Sequence, residues 1–251
     1  RFSYARADKI ISLLPCAEPH MADKGLAAGK FLWVPNGVDS SDISPDSAVS
    51  SSDLVRHVQV LKEQGVFVVI YAGAHGEPNA LEGLVRSAGL LRERGASIRI
   101  ILVGKGECKE QLKAIAAQDA SGLVEFFDQQ PKETIMAVLK LASAGYISLK
   151  SEPIFRFGVS PNKLWDYMLV GLPVIFACKA GNDPVSDYDC GVSADPDAPE
   201  DITAAIFRLL LLSEDERRTM GQRGRDAVLE HYTYESLALQ VLNALADGRA
   251  A

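Results

Sequence analysis

Gly158-Val159-Ser160-Pro161-Asn162-Lys163-Leu164-Trp165-Asp166-Tyr167-Met168, followed by Gly171-Leu172-Pro173-Val174-Ile175-Phe176, reads as loop, helix and buried strand. Pro161 suits a first helical turn, where its missing N–H would have had no intrahelical partner. Ser160 is the expected N-cap, and the helix is predicted over Pro161–Val170. Gly171 ends it, and Pro173–Ala177 is a short apolar strand. The free N–H groups and positive dipole end of such a helix favour an anion. Lys163 opposes that dipole from the first turn, a cost that a bound phosphate offsets. Asp166 lies one turn further along the same face, so a carboxylate is expected beside whatever fills the loop. An anion site next to a carboxylate suits a nucleotide diphosphate that carries a ribose or a sugar.

Outward from this stretch the same alternation continues. Strands are predicted at Val66–Ala72, Ser97–Val103, Leu123–Phe127 and Gly145–Leu149, with helices at Ala80–Arg94, Lys109–Gln118 and Pro131–Ala142 between them. Gly191–Ser193 reads as a last short edge strand. Apolar, β-branched strands alternating with helices imply a parallel sheet buried on both faces. The fold class is therefore α/β, a Rossmann-like domain with helices on both sides. Helices are expected at Pro199–Leu212, from the capping box of Ser213 and Glu216 to about His231, and at Tyr234–Ala246. Before the sheet, Ala7–Leu14 reads as a helix end running into a strand, and Phe31–Val34 as a strand closed by the turn Pro35-Asn36-Gly37. Ser40–Ser52, rich in Ser, Asp and Pro, reads as a linker or surface loop.

Composition narrows the function classes. The chain of 251 residues is 47% hydrophobic and 24% charged, enough for a substantial core. Its net charge of −7 argues against general nucleic-acid or anionic-membrane binding, which favour basic surfaces. The four cysteines, Cys16, Cys108, Cys178 and Cys190, are scattered and suggest neither a zinc site nor a disulfide framework. No metal or other cofactor is expected, and no apolar run is long enough to span a bilayer.

The stretch from Ser160 to Ile175 resembles the donor-site signature of retaining glycosyltransferases of the GT-B fold, family four, in the form carried by bacterial surface-polysaccharide enzymes. The resemblance runs from about Asp8 to about Leu245 and includes Val34-Pro35-Asn36-Gly37-Val38-Asp39, which matches the family's interdomain junction. It implies that residues 1–38 are the tail of an N-terminal domain with that junction. Residues 39–233 would form the nucleotide-sugar-binding domain, and 234–251 a helix crossing back towards the N-terminal domain. The chain starts at Arg1 without methionine, and is read as the donor-binding half of a longer enzyme. In many relatives two glutamates bracket the donor loop. Gly158 and Asp166 stand at those positions here, so the acidic residue is kept only at the second.

Further candidates sit at strand ends, where open α/β sheets gather ligands. In the loop Ala72–Asn79, Gly73 and Gly76 would let the backbone approach a diphosphate, and His75 could donate to a phosphate, although a loop histidine is as readily a plain solvated side chain. Many relatives place an Arg and a Lys in this loop, where this chain has Ala74 and Asn79-Ala80. Lys105, in the turn Gly104-Lys105-Gly106, is a replacement cation, unless those glycines merely serve the turn. Gln130, in the loop Asp128–Lys132, is expected near the nucleotide base. Val159, Ser160, Asn162 and Lys163 are expected to present N–H groups and charge to the diphosphate, with Asp166 taking the ribose. Trp165 and Tyr167 read as packing residues.

The expected function is transfer of a sugar from a nucleotide-sugar donor, UDP-linked and with retention, to a glycan or lipid-linked acceptor in polysaccharide biosynthesis. The partners implied are that donor, that acceptor and the N-terminal domain, and not nucleic acid. The location implied is cytoplasmic, with the inner membrane face as a candidate for the full-length protein. A sugar-nucleotide epimerase of the same fold and a non-catalytic nucleotide-sugar binding module are the competing readings.

Overall fold

The computed structural model describes residues 2–43, 52–119 and 122–247. Most of the Ser40–Ser52 segment, read as a loop, lies outside these residues; its start, Ser40–Ile43, is a short 3-10 turn.

The sheet has six strands in the order β5-β4-β3-β6-β7-β8. They are β3 (Phe67–Ala72), β4 (Ile98–Val103), β5 (Val124–Phe127), β6 (Ala144–Ser148), β7 (Val174–Ala177) and β8 (Gly191–Ser193). Every pairing is parallel. The chain steps outward from β3 through β4 to β5, returns to the other flank of β3 as β6, and steps outward again. This is the doubly wound pattern, with its switch point between β3 and β6.

Alternation along each strand divides the core in two. Val68, Ile70, Ile101 and Val103 point to one face with α3 (Asp53–Glu63), α6 (Lys132–Leu139), α7 (Asn162–Leu169) and α10 (Glu214–His231). Phe67, Val69, Tyr71, Ile98, Ile100 and Leu102 point to the other, with α4 (Glu82–Glu93), α5 (Lys109–Asp119) and α9 (Pro199–Leu211). Both faces are covered, which is why the strands are continuously apolar. Trp165 and Tyr167 are packing residues: Trp165 stacks on Tyr232 with centroids 3.9 Å apart, and the Tyr167 hydroxyl accepts from the Ala72 N–H at 2.9 Å.

A smaller parallel pair precedes the sheet, β1 (Ile10–Ser12) with β2 (Phe31–Trp33), after α1 (Phe2–Arg6) and α2 (Glu18–Asp23). The last helix, α11 (Tyr234–Asp247), returns to this unit, its Gln240 donating to the Trp33 carbonyl at 2.9 Å. The Ser213–Glu216 capping box is present at the start of α10. Three helices lie where none is predicted from the sequence: α2, α3, and the short α8 (Pro184–Asp187) capped by Asp183. No helix among the described residues is long and apolar enough to cross a membrane.

Candidate functional site

A cavity of about 660 Å³ opens at the carboxyl ends of β3, β4 and β5, within the size range of small-ligand pockets. The predicted residues Gly73, Lys105, Gln130 and Asp166 line it, together with Ala74, Gly104, Gly106, Gln129 and Lys132. Its floor is built from two turns pressed together. A Cβ on Gly104 would lie 1.9 Å from the Gly73 carbonyl oxygen, and one on Gly106 2.4 Å from that of His75, so neither position admits a side chain.

His75 does not reach the cavity as a loop donor. It is fully buried, and its backbone ties the turns together: its N–H donates to the Lys105 carbonyl at 2.8 Å and its carbonyl accepts from Cys108 at 2.9 Å. Burial, and then the charges of Lys109 and Lys163, push the imidazole down to about 4, so it is neutral at physiological pH. Neither ring nitrogen has a partner among the described residues. Gly76 faces a separate hollow, where Glu107 Oε1 lies 2.9 Å from the place of its absent Cβ.

Asp166, from the middle of α7, is partly buried and 3.6 Å from Lys132 Nζ. Burial pushes its carboxyl above the usual range, with Lys132 pulling the other way and Asp42 adding to the rise. Lys132 also meets Asp42 at 2.5 Å. Burial works against its ammonium, but Asp42 and Asp166 outweigh that and raise its pKa. Lys132, a rim cation absent from the sequence-based site, enters from the first residue of α6, two residues after Gln130. Gln130 itself turns back to donate to the Asp128 carbonyl at 3.3 Å.

Lys163 runs inward from the first turn of α7. Its Nζ donates to Tyr71 Oη at 2.9 Å and to Asn79 Oδ1 at 3.0 Å, and lies 3.0 Å from where a Cβ on Gly73 would be. Burial pushes it down to about 8. No carboxylate lies within ion-pair distance of it among the described residues.

The remaining predicted residues are employed otherwise. Ser160 does not cap α7; Pro161 occupies the cap position, with no side-chain cap bond. The Ser160 hydroxyl instead accepts from the Asn36 N–H at 2.9 Å and its carbonyl from Asn36 Nδ2 at 2.5 Å, so the Pro35-Asn36-Gly37 turn holds it. The Val159 N–H, expected to face a phosphate, donates to Asn182 Oδ1 at 2.8 Å. Asn162 is exposed and does not line the cavity. Gly158 has φ +97, and a Cβ there would lie 2.6 Å from Pro15 Cδ and 2.9 Å from Asn182 Oδ1. A glutamate has no room in this packing.

Residues 66–211 match the family described as glycosyl transferases group 1. This chain belongs to that family. Over 199 residues it is 26% identical to a protein of Escherichia coli (strain K12) described as the colanic acid biosynthesis glycosyl transferase WcaI, covering 76% of this chain and 46% of that protein. This group 1 chain thus spans about half the length of the curated relative it matches. Among solved structures it is similar to sucrose-phosphate synthase from Thermosynechococcus elongatus, with TM-score 0.76 and 19% identity over 98% of this chain and 60% of that one. It is also similar to Anabaena HepE in complex with UDP and glucose, with TM-score 0.74 and 15% identity over 98% and 65% of the two chains. At these identities the likeness establishes the fold, a helix-flanked parallel sheet that matches GT-B glycosyltransferases.

Proposed function

We propose that this chain is the donor-binding part of a retaining glycosyltransferase that takes a UDP-linked sugar and passes it to a glycan or lipid-linked acceptor in polysaccharide biosynthesis. One observation carries the reading: a largely buried ammonium, Lys163, stands without a carboxylate partner against Gly73, which lines a cavity of nucleotide size. An uncompensated buried charge costs several kcal/mol, and a bound diphosphate offsets that cost.

The rest of the wall fits the same ligand. Asp166 can accept from the ribose hydroxyls, and the Gln129-Gln130 loop can meet the base. The Gly73–Ala74 turn admits the diphosphate between Lys163 and the exposed Lys105. As the bond from sugar to diphosphate breaks, negative charge builds on the leaving phosphate oxygen. Cations already fixed beside that oxygen stabilise it without reorganising. In this proposal they do the work that a metal ion does in other transferases. The relatives support the choice of donor and pathway: HepE was solved with UDP and with UDP-glucose, and WcaI is described as a colanic acid enzyme.

Calorimetric titration with UDP, GDP and ADP tests this, with UDP expected to bind most tightly. Asp166→Ala should cost roughly 1–3 kcal/mol of UDP binding, the range for a hydrogen bond to a charged group. Asp166→Asn should cost less, since its amide oxygen still accepts. Lys163→Ala should lower affinity and its salt dependence together. Parent-like affinity in all three folded variants would retire the site.

A further inference from the structure

We propose that Asn79 is a positioning residue for the donor: its amide oxygen holds the Lys163 ammonium in place without neutralising it, so the charge stays available to a diphosphate. The inference rests on the donor reading above.

The geometry accounts for each donor on Lys163. An ammonium has three N–H groups and no acceptor. One goes to Tyr71 Oη, whose own proton is committed to the Ala74 carbonyl at 2.8 Å. A second goes to Asn79 Oδ1 at 3.0 Å. Among the described residues the third has no acceptor. Gly73 keeps the adjoining space open, since a Cβ there would lie 3.0 Å from both Lys163 Nζ and Tyr71 Oη.

Asn79 is itself firmly held. Its N–H donates to the Gly76 carbonyl at 3.0 Å, closing the 3-10 turn Glu77–Asn79. Ser148, at the end of β6, donates its hydroxyl to the Asn79 carbonyl, and Lys150 donates its N–H to Pro78 at 2.9 Å. The next residue, Ala80, adopts φ +44, a left-handed conformation that costs an L-residue energy. The turn is thus fixed to β6 across the switch point, and the Asn79 side chain has a determined aim.

Buried lysines are ordinarily paired with carboxylates. Here the groups around Lys163 are uncharged at neutral pH: Tyr71 from β3, whose pKa burial raises; His75 behind the turn, at about 4; and Cys178 after β7, pushed up to about 12 by burial and then Asp183. Asp166, one turn further along α7, faces Lys132. An aspartate at position 79 would have made a closed ion pair. An asparagine supplies the same oxygen and leaves the positive charge unspent.

The test is UDP affinity as a function of pH, from about pH 7 to about pH 9, above the second phosphate ionisation. Folding of each variant is checked separately. In the parent, affinity should hold near pH 7 and fall as Lys163 deprotonates through about 8. Lys163→Met should bind more weakly and lose that fall, and it reports any change belonging to the nucleotide. Asn79→Ala removes the acceptor, so the fall should move to lower pH, with affinity at neutral pH reduced about fivefold to tenfold, one hydrogen bond's worth. Asn79→Asp, nearly isosteric, should move the fall to higher pH and lower neutral-pH affinity by about tenfold or more, because the ammonium is then paired. If the alanine variant does not fold, the aspartate variant decides. A parent-like midpoint in Asn79→Asp, with Lys163→Met still impaired, overturns the role of Asn79 and leaves the donor site standing. Parent-like binding by Lys163→Met overturns both.

Discussion

At the scale of single residues, the site depends on which side chains are left uncommitted. Lys163 and Asp166 were legible in the sequence, since residues three apart on a helix share a face. That Lys163 runs inward and is largely buried was not legible, because it depends on Gly73 leaving space beside it. Ser160 shows the opposite failure. A serine before a proline-led helix is a sound local cap, yet Asn36, far away in sequence, takes both its hydroxyl and its carbonyl. Gly158 is a position where chain packing replaces chemistry. Gly158→Glu should destabilise the protein by about 2–4 kcal/mol, from a left-handed backbone and the overlap with Pro15. Gly158→Ala should lose a similar amount, because the collision begins at Cβ. Urea denaturation measures both, and a stable Gly158→Glu variant would show that the Pro15 contact yields.

At the scale of elements, strands β3 to β7 were readable from their apolar, β-branched runs, and α4 and α9 from their spacing. Helix α3 was not. Its buried stripe is only Leu54, Val58 and Leu61, with Val55 and Val60 outside it blurring the period, on a segment that follows a serine-rich run. The two turns under the cavity were recognisable from their glycines, but the burial of His75 between them was not. Its role can be weighed by linkage. The folded imidazole titrates at about 4 against an ordinary 6.5. The unfolded chain therefore binds the proton more readily between those values, and stability is full above pH 6.5 and lost as pH falls towards 4. The loss attributable to His75 should approach about 2–3 kcal/mol. His75→Phe should remove that pH dependence, so that, whatever the offset near neutrality, the variant should gain on the parent by that amount as pH falls towards 4. Parallel curves would mean that the ring is accessible to protons in the native state.

At the scale of the whole molecule, strand order is what the sequence left open, because parallel pairing between strands far apart leaves no local trace. The order decides the site: with β3 and β6 adjacent, the turn bearing Asn79 and the helix bearing Lys163 meet over one crevice. The same scale governs the chain's two ends. Val38 bridges Thr233, its N–H donating to the Tyr232 carbonyl at 2.9 Å and its carbonyl accepting from Tyr234 at 3.1 Å. Leu237 is buried where a Cβ on Gly37 would come within 2.7 Å of it, and Gln240 holds the Trp33 carbonyl. Thus α11 clamps the junction that leads from the β1–β2 unit into the main sheet, while the main sheet draws its own core from both faces. Truncation after Thr233 removes one buried leucine, worth about 1.5–3 kcal/mol, and one or two hydrogen bonds of about 1 kcal/mol each. The loss should fall on the junction and the β1–β2 pair. Native-state hydrogen exchange should show faster opening at Ile10–Ser12 and Phe31–Val38, with β3, β4, β6 and β7 unchanged, since local units open independently of the global transition. Faster exchange across all the strands would mean instead that α11 supports the sheet as a whole.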